Sequence, residues 1–91
     1  STSWRMRRMM EIPKFRKYNL KHLRRIGAGE KMAFYVGVSQ YHKRTNILFI
    51  SYREDTDYVG GLYALPISLL NSLIRCLEWI KRKVEEEENN G

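Results

Sequence analysis

This chain of 91 residues has little cysteine, with Cys76 as its single cysteine residue. One cysteine excludes a disulfide framework, and no group of Cys and His residues has the spacing of a metal site. A lone thiol gives no reason to place the protein in an oxidising compartment, so a reducing intracellular one, nucleus or cytoplasm, is favoured. Cys76 lies within a helical pattern, and we expect it to be a packed, inert thiol.

Long apolar runs are also missing. No stretch of the sequence is long enough to span a bilayer, and the N-terminal residues carry charge without the apolar core of a signal peptide. The sequence therefore predicts a chain that does not span a membrane, and no membrane is among its favoured partners. A chain of this length forms one domain with a thin core, and a second copy of the chain could supply further burial.

Catalytic patterns are not found in the sequence either. The two histidines, His22 and His42, have no serine, cysteine or carboxylate at a spacing typical of a catalytic site. Residues 27–29, Gly-Ala-Gly, lack the third glycine and the strand-then-helix context of a phosphate loop. The three acids in residues 54–57 are more typical of a solvated loop than of a cation site. We therefore predict a protein that is not an enzyme and that uses no cofactor or metal.

Acidic residues are scarce in the first part of the chain. Residues 1–53 hold 13 Lys and Arg against 2 Asp and Glu, a balance of +11. Residues 54–91 hold 4 against 8, a balance of −4. This asymmetry indicates a half of the chain that faces a polyanion. Nucleic acid is the first candidate and an anionic membrane surface the second, while a solvated basic face without a dedicated partner is the alternative.

Two strands are predicted where apolar residues alternate with period two. Within residues 32–41, Phe34, Val36 and Val38 point to one face. Tyr35 and Tyr41 point to the other face, so the pattern predicts one face on a core and one open to solvent. The next strand covers residues 47–53 and follows a polar hairpin connection at 42–46. Both faces of this second strand are largely apolar, which indicates a central strand or one that a partner covers.

The flanking segments complete the predicted sheet. Residues 14–26 fit both a helix and a strand, and we favour a strand or an irregular edge. Residues 62–65 are predicted as a short closing strand. Residues 1–13 form a basic arm, residues 14–84 the folded domain and residues 85–91 an acidic tail that we expect to fray into solvent.

A long helix is predicted over residues 66–84. Pro66 suits the first turn of a helix, and apolar residues recur at spacings of three and four. The apolar arc is wider than one sheet face requires. The predicted fold class is therefore α+β, an antiparallel β-sheet of about four strands followed by one long C-terminal helix.

Rings and cations interleave along the predicted strands, which is typical of a surface that stacks on bases and neutralises phosphates. We predict that one exposed sheet face combines them. The predicted nucleic-acid-binding residues are Tyr35, Tyr41, Lys43, Arg44, Arg53, Lys14, Arg16, Lys17, Lys21, Arg24 and Arg25. The competing interpretation is that rings such as Tyr35 fill a second core at a subunit contact.

The order of elements resembles that of the transcriptional coactivator PC4 and of the PUR repeat. The resemblance covers residues 26–84 and is carried by segments 34–38, 47–50 and 62–68, and by Tyr41 with the cations beside it. It implies a curved sheet that binds single-stranded nucleic acid and helices that pair between two subunits. It also implies that Tyr41 stacks on a base while Lys43, Arg44 and Arg53 hold the backbone.

The leading hypothesis is a homodimeric protein that binds single-stranded DNA or RNA with weak sequence preference, as a regulator of transcription or replication. A protein–protein assembly module that docks on an acidic partner is the first alternative. The second is a structural component of a ribonucleoprotein.

Overall fold

The computed structural model describes residues 12–41, 43–60 and 64–90, apart from the side chain of Tyr41. The predicted basic arm therefore lies outside the described residues as far as residue 11. Four strands form the sheet, and their bounds are β1 Leu20–Ala28, β2 Ala33–Tyr41, β3 Arg44–Arg53 and β4 Tyr58–Gly60. One long helix, α1, follows at Leu70–Asn90. Short 3-10 helices at Pro13–Tyr18 and Ile67–Leu69 precede β1 and α1.

The sheet is antiparallel throughout, with the strand order β1-β2-β3-β4. This confirms the predicted α+β fold of about four strands followed by a helix. The position of the fourth strand was wrong, because β4 ends at Gly60. Residues 64–65 of the predicted closing strand are not in a strand, and residues 62–63 lie outside the described residues. The dimer stays a prediction.

The hairpin between β2 and β3 is tighter than predicted. Tyr41 pairs with Arg44, and Ser39 pairs with Asn46, so both strands continue into the segment predicted as a connection. The pairing of Tyr41 with Arg44 leaves two positions of the sequence between the strands. Lys43 has a φ of 64°, the left-handed conformation that two-residue hairpin turns require.

Strand β1 contains two irregularities. Its register with β2 shifts between Lys21 and Arg24 and again between Arg25 and Gly27. Each shift inserts extra residues into β1, as a β-bulge does, and changes which face the following side chains occupy. The bulges explain why this part of the sequence shows no clean period of two.

One core lies between the sheet and α1. Its buried side chains are Ile26, Phe34, Val36, Val38, Cys76 and Ile80. The Ser72 hydroxyl on α1 donates a hydrogen bond of 2.5 Å to the carbonyl of Ile26, and the Cys76 thiol lies 3.8 Å from the carbonyl of Arg25. The predicted packing of the helix on the face of Phe34, Val36 and Val38 is confirmed, and Cys76 is a buried thiol.

A second core lies on the opposite face, which we had predicted to be open. Its buried side chains are Phe15, Leu23, Ala33, Tyr35, Ile50 and Tyr52. The 3-10 helix Pro13–Tyr18 lies across this face and inserts Phe15 against Tyr35 and Tyr52, at ring distances of 5.3 and 5.5 Å in edge-to-face geometry. Pro13 suits the start of this helix because its missing N–H would have no partner there.

Helix α1 is longer than predicted. It continues to Asn90, so residues 85–90 are helical and not a frayed tail. Within the described parts of the chain, no helix is both long and apolar enough to cross a membrane.

Candidate nucleic-acid interface

Tyr35 is the one buried residue among the predicted site residues whose side chains the structure describes. Its side chain is 3% exposed, because the ring packs against Phe15 in the second core. A buried ring has no free face for a base, so the prediction that Tyr35 stacks on nucleic acid was wrong. Tyr41 pairs through its backbone with Arg44, while its side chain lies outside the described residues.

Five of the predicted cations lie at the hairpin end of the sheet, which we call the basic end. They are Arg16, Lys17, Lys21, Lys43 and Arg44, and all five are exposed. The 3-10 helix reaches this end because the Ser39 hydroxyl on β2 donates a hydrogen bond to the carbonyl of Tyr18. Arg16 and Lys17 lie on the face that the 3-10 helix covers, whereas Lys21 lies on the face of α1, where it contacts Glu87, so positive charge approaches this end from both faces of the sheet.

The cations of the basic end lie close enough together for their electrostatic potentials to overlap. Lys21 pairs with Val38, three residues before Tyr41 in β2, which corresponds to roughly 10 Å along a strand. This distance is comparable with the Debye length of about 10 Å at 0.1 M salt, so the potentials of the cations overlap at low salt. The potentials of Lys21 and of the turn cations therefore reinforce each other at this end of the sheet.

The other end of the sheet, which we call the acidic end, carries Glu30 in the β1–β2 turn and Glu54, Asp55 and Asp57 in the β3–β4 turn. Two predicted site residues pair with these acids. Lys14 lies 3.9 Å from Asp57, and Arg53 lies 3.4 Å from Asp55. Lys14 and Arg53 are therefore separated from the basic end and partly neutralised.

Tyr52 links the second core to the acidic end. Its hydroxyl donates a hydrogen bond of 2.6 Å to a carboxylate oxygen of Asp57. This bond, together with burial, raises the pKa of Tyr52 to about 12. The hydroxyl therefore keeps its proton, and the β3–β4 turn is held to the sheet by a charge-assisted bond.

Arg25 also lies at the acidic end. It lines an open cleft of about 520 Å³ together with Glu30, Lys31, Glu54 and Asp55. The cleft mixes both signs of charge, and among the described residues no three His, Cys, Asp or Glu side chains group closely enough to hold a metal ion. The cleft thus does not extend the basic end.

Among the described rings, Trp79 of α1 lies nearest to a predicted site cation. The Arg24 guanidinium lies 4.5 Å from the ring centroid, the Lys83 ammonium lies 5.5 Å from it, and the His22 ring meets it edge-on at 6.1 Å. Cations over an indole face are attracted by its quadrupole. Our sequence reasoning missed Trp79 and Lys83, although their spacing of four on a predicted helix places them side by side.

Glu87 connects the end of α1 with the basic end. One carboxylate oxygen lies 2.9 Å from the Lys21 ammonium, and the other is hydrogen-bonded to the His22 ring. The hydrogen bond from Lys21 holds the pKa of the Glu87 carboxyl below its usual range, against a partial opposing effect of desolvation and with further help from His22. Glu87 is therefore ionised at neutral pH.

Apolar side chains remain exposed beside α1 and form what we call the apolar ledge. Ile47 and Phe49 pair with Val38 and Val36, on the face that α1 partly covers, and are 48% and 44% exposed. Leu70 and Ile74 of α1 are 45% and 44% exposed. Helical periodicity places Leu70 and Ile74 on the flank opposite to Ser72, Trp79 and Glu87, which contact β1. The ledge thus lies on the β3 side of the helix.

Comparisons with protein-family models, with curated proteins and with solved structures find no match for this chain. The resemblance to PC4 and the PUR repeat therefore stays a prediction.

Proposed function

We propose that this protein binds single-stranded DNA or RNA with weak sequence preference, without catalysing a reaction. The observation that carries the proposal is the concentration of five exposed cations, from the 3-10 helix, β1 and the β2–β3 turn, at the basic end. Cations that neutralise phosphates release counterions, which gives affinity without base recognition. Binding of this kind suits a regulator of transcription or replication.

Trp79 takes the role that we had assigned to Tyr35. The Arg24 guanidinium lies over the indole, 4.5 Å from the ring centroid, so a base that stacks on this ring would displace the guanidinium toward a phosphate of the same strand. Stacking on a ring is worth about 1–3 kcal/mol per base and is tolerant of sequence. Weak sequence preference follows from this mode of binding.

The test is a titration of a fluorescent single-stranded oligonucleotide at two salt concentrations. The double variant Lys43→Ala/Arg44→Ala is expected to bind more weakly and to show a shallower salt dependence, by about 0.7 in the logarithmic slope for each phosphate that it no longer neutralises. Arg25→Ala/Lys31→Ala is the matched control, because it removes two exposed cations near the acidic end. Equal effects of both variants, or affinity indifferent to salt, would contradict the proposal.

We also propose that two copies of the chain pair through α1 and the apolar ledge. Ile67, which precedes Leu70, is 83% exposed and extends the ledge. All five side chains are at least 44% exposed, and a contiguous exposed apolar patch of this kind marks an interaction site.

The mass in solution tests the dimer. Phe49→Ser and Ile74→Ser are expected to give monomers, because each places a hydroxyl in the centre of the pairing surface. Tyr58→Ser is the control, since Tyr58 is 57% exposed in β4 and lies outside the ledge as defined. A monomeric wild-type protein would exclude the pairing.

The same ledge favours a second candidate function, an assembly module that docks on another protein. In that case the basic end would contact an acidic partner, and the ledge would bury an apolar surface of that partner. Retained partner binding by a Lys43→Ala/Arg44→Ala variant that has lost its oligonucleotide affinity would support this function. A preference for structured RNA over single strands would instead indicate a ribonucleoprotein component.

A further inference from the structure

We propose that the C-terminal turns of α1 compete with nucleic acid for the basic end, so that Glu87 acts as an internal substitute for a phosphate. This inference rests on the proposed function, because it concerns the regulation of the same site. The competing groups are the Glu87 carboxylate and the phosphates of a bound strand. Binding would require Lys21 to exchange one anion for the other.

The geometry of the contact supports this exchange. Lys21 and His22 of β1 engage the two oxygens of a single carboxylate, with 2.9 Å between the Lys21 ammonium and Oε2 of Glu87. The contact joins residues 66 positions apart in the chain, so it is not a consequence of local helix geometry. Two donors that bind two oxygens of one anion suit the non-bridging oxygens of a phosphate equally well.

The place of these carboxylates in the helix is also informative. Residues 85–88 are four consecutive glutamates near the C-terminal end of α1, where the helix dipole disfavours negative charge. Glu85 and Glu86 pair within the helix, at 3.9 Å from Lys81 and 3.6 Å from Lys83. Glu87 instead reaches β1. The helix therefore directs one ionised carboxylate toward the basic end.

The contact is weak enough for a ligand to displace it. Lys21 is 48% exposed and Glu87 is 45% exposed, so solvent screens the pair. Exposed ion pairs of this kind contribute little to stability, and salt weakens them further. Competition by Glu87 would thus lower the affinity for nucleic acid by a modest factor and would leave the fold intact.

The experiment compares Glu87→Gln with Glu85→Gln in binding to a short fluorescent oligothymidylate at low salt. Both changes remove one negative charge from the same part of α1, but only Glu87 contacts Lys21. Glu87→Gln is expected to bind about two- to fivefold more tightly than the wild-type protein, since it frees a cation whose exposed pair was weak. Glu85→Gln is expected to change the affinity clearly less.

A third variant links the gain to Lys21. In a Lys21→Ala background, Glu87→Gln should no longer improve binding, because the cation for which the anions compete is missing. Circular dichroism of each variant checks that α1 remains folded.

The possible failures can be told apart. Wild-type binding that Glu87→Gln does not improve, or improves no more than Glu85→Gln does, would overturn the competition while leaving the proposed function in place. If no variant binds the oligonucleotide at low salt, the proposed function fails and the competition fails with it. Binding by Glu87→Gln alone would support both.

Discussion

The two ends of the sheet carry similar cations but use them differently. At the acidic end, Lys14 and Arg53 each lie beside a carboxylate from the β3–β4 turn. At the basic end, the ion pairs among the described residues come from Glu87, which belongs to a distant helix. The net charge of a segment therefore does not identify a binding surface. The carboxylates that the fold brings beside each cation decide which positive charges are available to a ligand.

Phe15 joins the two ends, because the 3-10 helix that carries it runs from Lys14 beside Asp57 to Tyr18 beside Ser39. Phe15→Ala is expected to lower the free energy of unfolding by about 3–5 kcal/mol, since it removes a buried ring from the centre of the second core. Urea denaturation measures this decrease. Lys17→Ala, an exposed change in the same helix, is the control and should alter stability very little. Equal stability of the two variants would show that the 3-10 helix does not seal the sheet.

A substitution of Trp79 tests the proposed stacking of bases on this ring. Trp79→Leu is expected to weaken binding to a single strand by about 1–3 kcal/mol, because the indole is the proposed stacking surface. Tyr58→Leu is the control, since this exposed ring directly follows the acidic β3–β4 turn. Oligonucleotide titration compares the two variants. A similar weakening by both would contradict a specific role for Trp79.

A substitution of Asp57 tests the hydrogen bond that holds the β3–β4 turn at the acidic end. Its bond to Tyr52 raises the tyrosine pKa from 10.0 to about 12, so the protonated hydroxyl contributes stability that is complete below pH 10. That contribution disappears as the pH rises from about 10 toward 12. Asp57→Asn should lower the pKa of Tyr52 and cost roughly 1.5–3 kcal/mol of unfolding free energy at neutral pH, the usual value of a hydrogen bond to a charged group. Ultraviolet titration of tyrosine and urea denaturation measure the two effects, and an unchanged titration curve would contradict the assignment.

The ion pair of Glu87 is expected to have the smallest effect, a slight dependence of stability on acid pH. Because its pKa is lowered in the folded protein, its contribution to stability is present above the usual pKa of a glutamate and disappears as the pH falls through the lowered value. The pair with Lys21 is exposed, so this change is slight. Thermal unfolding as a function of acid pH should therefore show a small decrease that Glu87→Gln abolishes and Glu85→Gln keeps. A decrease that Glu85→Gln abolishes and Glu87→Gln keeps would contradict the contact of Glu87 with β1.

The central part of the fold could be predicted from local patterns. Period-two alternation identified β2 and most of β3, and apolar spacing identified α1 and the sheet face that it covers. The register fixed by the short turn follows from the same alternation, because a slip by one residue would move Val36 and Val38 out of the core. These features depend on residues close together in the sequence.

The covering of the second face could not be predicted in this way. Alternation showed that Tyr35 lies opposite to Phe34, but not whether another segment packs on it. That segment is a 3-10 helix with one buried residue, Phe15, and so it has no amphipathic period. The apolar residues on both faces of β3 were the available signal, and we had taken them to indicate a central strand or a partner.

The candidate site was predicted only in part, because the sequence does not show which distant residues the fold brings beside each cation. The cations of the hairpin turn and of β1 were identified from composition, and the structure places Lys21, Lys43 and Arg44 at one end. The roles of Lys14 and Arg53 depend on acids that the β3–β4 turn brings close to them. The contact of Glu87 with Lys21 joins residues 66 positions apart in the chain, so no local sequence pattern predicts it.

Strand β1 forms one margin of the sheet among the described residues, with nine residues, and its Arg25 and Ile26 carbonyls are contacted by Cys76 and Ser72 of α1. Such margins invite other chains to add strands, which leads to aggregation. Two bulges and the like charges of Lys21, Arg24 and Arg25 oppose this outcome, because a second copy of β1 would meet an irregular and repulsive border. The cations of β1 that we propose attract a polyanion would thus also oppose edge-to-edge assembly of the protein with itself.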